Sequence, residues 1–337
     1  MSYKVSLDKS PVSFRTSRSE TLLESALRSN VLLPYGCRNG ACGSCKGRII
    51  SGDIEYRDIP LTGITEAEKQ SGYALFCQAM ARSDLVIAAR QVNHPGEIPV
   101  RKLPCRVITA EKLNHDVLRL QLKLPDTERL QFVAGQYIDI LLEGGKRRSF
   151  SLANAPHDDE FLELHIRHYD GGKFSEYAFH SLRQNTLLRI EGPLGTFFLR
   201  DESRRPVIMV AGGTGFAPAK SIIEHCIKLS REIPVYLYWG ARTRKDLYLH
   251  ELPERWADKY NWFRYVPVLS EPDGNDHWSG HTGLVHEQVV KDFDDLSAFD
   301  VYASGPPPMV EMVKTTFSVQ GLPSENLYSD AFEFSAN

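Results

Sequence analysis

Four cysteines in the first quarter of the chain constrain its fold more than any other feature. Cys37, Cys42 and Cys45 are separated by four and then two residues, and Cys77 follows after 31 more. Four thiolates converging from one short loop and one distant position match the plant-type spacing for a [2Fe–2S] cluster. Three ligands can come from so short a loop only if its backbone wraps tightly round the inorganic core. Gly36, Gly40 and Gly43 are placed to allow this through positive φ and close approach. A zinc site is the competing reading, since Cys42-x2-Cys45 alone would fit one, but zinc sites usually pair two such clips. The remaining cysteines, Cys105 and Cys226, are isolated and read as small buried hydrophobes.

The chain has 337 residues, enough for two or three domains, and is 42% hydrophobic and 25% charged. A net charge of -3 leaves no basic footprint for nucleic acid. No apolar run is long enough to span a bilayer, and Met1–Val5 begins no secretory leader, so a cytoplasmic location is expected. A reducing compartment also argues against disulfides.

The texture changes along the chain and suggests three domains. Residues 1–92 form a β-rich unit: a hairpin over 3–16, a helix capped by Thr21 and ending near Asn30, and strands at Lys46–Ile50 and Asp84–Arg90. Two prolines and a glycine without periodicity mark a linker over 93–101. Over 102–203 short strands recur at 105–110, 117–124, 136–142, 162–167 and 187–191, a pattern favouring an antiparallel barrel. Over 204–337 strands at 207–210, 235–239 and 301–303, with a helix over 217–230, predict a parallel α/β sheet. The fold class is therefore multidomain.

Two motifs in the barrel stretch carry chemistry. Arg147-Arg148-Ser149-Phe150-Ser151 follows a strand and offers a guanidinium for a pyrophosphate, an aromatic face and a hydroxyl. Gly171-Gly172-Lys173-Phe174-Ser175 is a glycine turn leading to a helix at 175–181, with open N–H groups suited to phosphate. Taken singly, a basic pair is usually solvated surface and Gly-Gly usually a turn. In the last domain, Gly212-Gly213-Thr214-Gly215 stands between an apolar strand and a helix starting around Pro218, where a dinucleotide phosphate can lie. It is not G-x-G-x-x-G, and a plain βα turn is the alternative. Gly305-Pro306-Pro307-Pro308 supplies a second loop at the same carboxyl edge of the sheet, where the switch-point rule puts ligands.

These four motifs in this order resemble the ferredoxin–NAD(P)+ reductase-like family with an N-terminal plant-type ferredoxin domain. By layout the chain is similar to the reductase components of benzoate dioxygenase, soluble methane monooxygenase and the CDP-6-deoxy-hexulose 3-dehydrase system. The resemblance covers essentially the whole chain. It implies a β-grasp ferredoxin domain, an FAD-binding barrel and a nicotinamide-binding α/β domain. It further implies that Arg148 binds the FAD pyrophosphate within the Arg148-Ser149-Phe150-Ser151 segment. Phe150 would pack on the isoalloxazine, and Ser151 would hydrogen-bond flavin N5. Gly172, Lys173 and Ser175 match the second phosphate turn, and Gly213, Thr214 and Gly215 the nicotinamide dinucleotide loop, with Gly305 and Pro306 beside it. Asp330-Ala331-Phe332 resembles the acidic-x-aromatic ending whose ring covers the flavin face. Two positions depart from the family: Phe150 stands where tyrosine is usual, and Ser304 where a cysteine lies beside the nicotinamide C4.

The implied activity runs from NADH, or NADPH, through FAD to the [2Fe–2S] centre and on to a partner, an oxygenase or a pyridoxamine-phosphate-dependent sugar dehydrase. A flavin must stand between, because nicotinamide gives two electrons at once and the cluster takes one. Arg242 and Arg244 could grip a 2′-phosphate, yet loop arginines are commonly solvated, and the resembling reductases mostly use NADH. The stretch Gly283-Leu284-Val285-His286 looks more like the sugar-dehydrase group. Two other readings compete: a self-sufficient flavin or diaphorase-type reductase, and a redox relay or sensor without hydride activity.

Overall fold

A computed structural model describes residues 2–29, 31–89, 98–200, 202–274 and 277–332. Two compact units divide the chain, Met1–Glu97 and Ile98–Asn337.

In the first unit β1 (Ser2–Leu7) and β2 (Ser13–Ser17) form the expected hairpin. Helix α1 (Leu22–Arg28) starts in a capping box: the Glu24 amide donates to the Thr21 hydroxyl at 3.2 Å, and the Thr21 amide to the Glu24 carboxylate at 2.8 Å. Its apolar face, Leu22, Leu23 and Ala26, is buried in a core with Val5, Phe14 and Phe76. Strand β3 (Lys46–Ser51), the short β4 (Ile54–Tyr56), helix α2 (Glu66–Gln70), β5 (Tyr73–Leu75), β6 (Ala79–Ala81) and β7 (Leu85–Ala88) complete the unit. The main sheet runs β2-β1-β7-β3-β5, parallel only between β1 and β7, which is the β-grasp arrangement. Asn30 and Arg90, expected ends of a helix and a strand, lie outside the described residues, as does 93–97 of the expected linker.

The second unit opens with β8 (Arg101–Lys112), longer at both ends than the expected 105–110. Next come β9 (Val117–Lys123), β10 (Tyr137–Leu141), β11 (Arg147–Ser151), β12 (Leu162–Arg167), α3 (Lys173–His180) and β13 (Leu187–Leu194). The strands pair antiparallel in the order β11-β10-β13-β8-β9-β12. A bridge between Leu152 and Leu164 joins the two outermost strands and closes the barrel. Residues 147–151, read as following a strand, are themselves a strand. Their polar composition hides the alternation. Helix α3 begins two residues earlier than expected.

The rest is a parallel sheet, as expected, but larger. Strand β14 (Val207–Gly212) is buried at every position, the mark of a central parallel strand covered on both faces. It is followed by α4 (Phe216–Lys228), β15 (Val235–Ala241), α5 (Glu251–Lys259), β16 (Phe263–Leu269) and β17 (His281–Thr282). Helix α6 (Val285–Asp292), β18 (Asp300–Gly305), α7 (Pro307–Val319) and β19 (Leu327–Ala331) end the described chain. The order is β17-β16-β15-β14-β18-β19, all pairs parallel. Helix α4 starts at Phe216 rather than near Pro218, directly after a single 3-10 turn over Gly213–Gly215.

Candidate functional site

The cysteine loop brings its three thiols together with that of Cys77, between β5 and β6, as two pairs. Cys45 Sγ lies 3.2 Å from Cys77 Sγ. In the other pair the Cys37 amide donates to Cys42 Sγ at 3.4 Å and the Cys42 amide to Cys37 Sγ at 3.3 Å, while the Ser44 amide also points at Cys42 Sγ, at 3.5 Å. Mutual hydrogen bonding holds Cys42 down at about 5 and Cys77 below the usual thiol range, while the same contacts push Cys37 and Cys45 up. Positive φ falls on Arg38 (59°), Gly40 (87°) and Gly43 (71°), not on Gly36. Gly36 therefore does not serve through the left-handed backbone expected of it. Gly40 and Gly43 are also excluded from carrying side chains. A Cβ would lie 2.8 Å from Leu61 Cδ2 at the first and 3.0 Å from the Gly63 carbonyl at the second. Two thiol pairs with backbone N–H groups aimed at sulfur fit a two-iron cluster. Cys105 and Cys226 are buried apart from this set, and burial pushes the Cys105 thiol up to about 12, as suits a packing residue.

In the barrel, strand periodicity puts Arg148 and Phe150 on one face of β11 and Ser149 and Ser151 on the other. Phe150 packs against Phe174 of α3, ring centroids 5.6 Å apart, so the two motifs separated in sequence meet. Arg148 Nη1 donates to the Arg147 carbonyl at 2.8 Å. The Ser149 hydroxyl donates to buried Asp139 at 2.7 Å, and Arg147 pairs with Asp139 and Glu191, so both shape the strand. Ser151 is buried. Helix α3 has no side-chain cap. The Ser175 hydroxyl instead donates to the Gly172 carbonyl at 2.9 Å and accepts from the Tyr169 amide at 3.3 Å, closing the turn behind Lys173. A Cβ at Gly172 would sit 2.5 Å from Ser175 Oγ, so a side chain there would displace the hydroxyl that closes the turn. A cationic side chain, an aromatic face and an uncapped helix N-terminus fit an aromatic dinucleotide.

At the carboxyl edge of the parallel sheet, three segments converge. Gly215 lies against β18, where a Cβ would be 2.0 Å from the Ser304 carbonyl oxygen. Ser304, 1% exposed, donates its hydroxyl to the Gly215 carbonyl at 2.7 Å. Gly305 (φ 141°) packs on Gly212, and Pro306 contacts the same glycine's open side. Asp330, buried, pairs in register with Ser304, and the Phe332 amide donates to the Gly305 carbonyl at 2.8 Å. Gly213 (φ 54°) faces the barrel's Arg167, whose Nη1 lies 2.8 Å from where a Cβ would be, and Trp239 Nε1 donates to the Gly213 carbonyl at 3.0 Å. Uncapped amides of the 213–215 turn, with no room for a side chain at Gly215, fit a phosphate.

A polar seam with almost no trace in the sequence fixes the barrel against this sheet. Arg167 is held by Asp116 at 2.8 Å. Lys220 on α4 reaches the Ala153 carbonyl at 3.1 Å and Glu224 at 3.0 Å, and Ser221 donates to the Asn154 carbonyl at 2.7 Å. His165 touches Glu163 through Nε2 and the Tyr248 hydroxyl through Nδ1, each at 2.9 Å. Burial works to raise Glu163, but His165 and the Lys220 ammonium outweigh it and hold the carboxyl at about 2. Burial depresses His165, so the ring is neutral, donating from Nε2 to the carboxylate and accepting at Nδ1 from tyrosine. The one available signal was Lys220-Ser221 on the otherwise apolar start of α4.

A cysteine-paired β-grasp unit, an FAD-type barrel and a parallel nucleotide sheet define an iron–sulfur flavoprotein of the reductase class. The chain matches the 2Fe-2S iron-sulfur cluster binding domain over residues 5–82, the oxidoreductase FAD-binding domain over 104–199 and the oxidoreductase NAD-binding domain over 209–315. It is 39% identical over 332 residues to the CDP-6-deoxy-L-threo-D-glycero-4-hexulose-3-dehydrase reductase of Yersinia pestis, covering 98% of this chain and 99% of that protein. It is 33% identical to reductase component 1 of terephthalate 1,2-dioxygenase from Comamonas sp., covering 98% of each. Among solved structures, the Amycolatopsis cytochrome P450 reductase GcoB superposes with a TM-score of 0.80 at 30% identity, covering 98% of each chain. The chain belongs to the iron–sulfur flavoprotein reductases that carry 2Fe-2S, FAD-binding and NAD-binding domains in one polypeptide. It is an NAD(P)H-dependent oxidoreductase that passes electrons to a partner enzyme.

Proposed function

We propose that the partner is a sugar-nucleotide dehydrase, with NADH as the electron donor and the cytoplasm as the location. The observation that carries the partner is the 39% identity over essentially full length to a reductase named for such a dehydrase, against 33% for a dioxygenase component. Among the described residues no helix is long and apolar enough to cross a membrane, and no two of the six cysteines form a disulfide, which suits a reducing compartment. Arg242 and Arg244 are exposed on the loop after β15.

Chemistry and placement support the following site roles. Cys37 and Cys42 would hold one iron, and Cys45 and Cys77 the other. Arg148 supplies positive charge for the FAD pyrophosphate and Phe150 a face for its ring, while Ser151 offers a hydroxyl to a ring nitrogen. Ser149 acts through Asp139 to set the strand. The amides of Lys173 and Ser175 would face phosphate, with Gly172, whose own amide donates to the Tyr169 carbonyl at 3.0 Å, shaping the turn, and those of Gly213, Thr214 and Gly215 would face the nicotinamide dinucleotide. Ser304 orients that loop through Gly215, Gly305 and Pro306 hold its other side, and Asp330 and Phe332 form the adjoining edge. Bound flavin supplies the conversion between two-electron and one-electron chemistry. Divisions at 1–92, 102–203 and 204–337 are supported by β13 ending at Leu194 and β14 starting at Val207.

Reconstitution tests the reading. Anaerobic NADH, this chain and a CDP-hexulose 3-dehydrase should turn over sugar product, and an oxygenase component in its place should not. Comparable rates with both would overturn the partner assignment. A higher kcat/KM for NADPH than for NADH would overturn the donor.

A further inference from the structure

Beside the flavin segment, one side-chain cluster has the donors and spacing of a transition-metal site. His168 follows β12, and Glu176 and His180 stand one turn apart on α3. Their ligand atoms all lie within 4.8 Å of one another. His168 Nε2 is 3.3 Å from Glu176 Oε2, and His180 Nε2 is 3.7 Å from the same oxygen. Donors bound at 2.0–2.1 Å round a tetrahedral zinc stand about 3.3 Å apart, so little movement is needed to close on an ion. His168 Nε2 is buried and makes no hydrogen bond, an arrangement that costs free energy unless a cation or proton takes up the lone pair. The His168 backbone is fixed by its amide bond to the Asp116 carbonyl at 2.7 Å, and its ring by Phe179 at 5.1 Å.

We propose that His168, Glu176 and His180 bind one divalent transition metal, zinc being the ion suited to two imidazoles and a carboxylate with a fourth position left to water. The ion ties the end of β12 to α3 across the 169–175 turn. It therefore rigidifies the amides assigned above to FAD phosphate, a consequence that rests on that assignment, whereas the binding does not.

The test is calorimetric titration of zinc into the full holoprotein, with the visible spectrum followed to show that the cluster stays intact. One zinc per chain is expected, with affinity lowered roughly tenfold or more in both His180→Ala and Glu176→Gln, two positions exposed enough to leave the fold unchanged. Unchanged affinity in the two variants, or no saturable binding to the parent protein, overturns the site. Flavin release into dilute buffer should be several-fold slower with zinc than with chelator in the parent and equal in His180→Ala. Variant-sensitive zinc binding without that difference supports the metal site and overturns the phosphate assignment of α3.

Discussion

The cysteine loop and the carboxyl edge of the parallel sheet, the proposed cluster and nicotinamide sites, are built on different recognition principles, and the contrast governs how each can be broken. Iron demands particular atoms, so the loop must set three sulfurs at fixed places against a fourth at Cys77. A phosphate accepts hydrogen bonds from any backbone amide, so the edge is specified by what is excluded: Gly212, Gly215 and Gly305 leave no room for a Cβ. One site fails when an atom is removed, and the other when an atom is added.

Removing an atom has the largest effect. Cys42→Ser should abolish cluster absorbance and partner turnover while leaving NAD(P)H-driven dye reduction near the parent rate. Loss of dye reduction as well would show that the two regions are not separable. Adding an atom comes next. Gly215→Ala drives a methyl to 2.0 Å from the Ser304 carbonyl, a backbone atom that cannot swing aside. Overpacking of this kind costs about 1–3 kcal/mol. A rise of at least roughly tenfold in nicotinamide KM, with the cluster spectrum unchanged, is expected. Parent-like KM would mean that the 213–215 turn does not hold the dinucleotide.

Ser304→Ala sharpens the same contrast more gently. It leaves the buried Gly215 carbonyl without its 2.7 Å donor, a loss of about 1–3 kcal/mol. The melting temperature of the nucleotide-binding unit should fall and KM should rise, and Ser304→Thr, which keeps the hydroxyl, should restore part of both. Equal damage from the two variants would assign Ser304 a packing role alone.

The same contrast explains what the sequence disclosed. That Cys37, Cys42, Cys45 and Cys77 come together was legible from spacing, because sulfur is scarce and a tight loop fixes its positions. The central strand β14 was legible as a continuous apolar run. Strand β11 was not, since Arg147, Arg148, Ser149 and Ser151 mask its alternation, and their partners Asp139 and Glu191 lie on other strands. Ser304 was recognised only as the place of an expected cysteine. Its bond to Gly215 spans 89 positions and left no local trace. The seam at His165 left only Lys220-Ser221 as a signal, because Tyr248 and Asn154 are unremarkable until the barrel and the sheet are brought together.

That seam gives the smallest and most diagnostic test. Burial holds His165 below its ordinary 6.5, so under acid the unfolded chain binds a proton that the folded chain refuses. Stability is therefore complete above pH 6.5 and declines as the pH falls below it. His250 and His286, also depressed by burial, add to the decline with the same sign. His165→Gln can still donate to Glu163 and accept from Tyr248 but cannot titrate. Melting of the flavin-bearing unit, followed by flavin fluorescence at pH 7.5, 6.5 and 5.5, should fall less steeply in the variant. The difference should not exceed about 1.4 kcal/mol per pH unit. Equal pH-sensitivity would mean that folding does not shift His165, and a steeper fall in the variant that His165 is already charged in the folded protein. The Glu163–Lys220 contact would then belong to a cationic cluster rather than to an anion held between a neutral imidazole and a lysine.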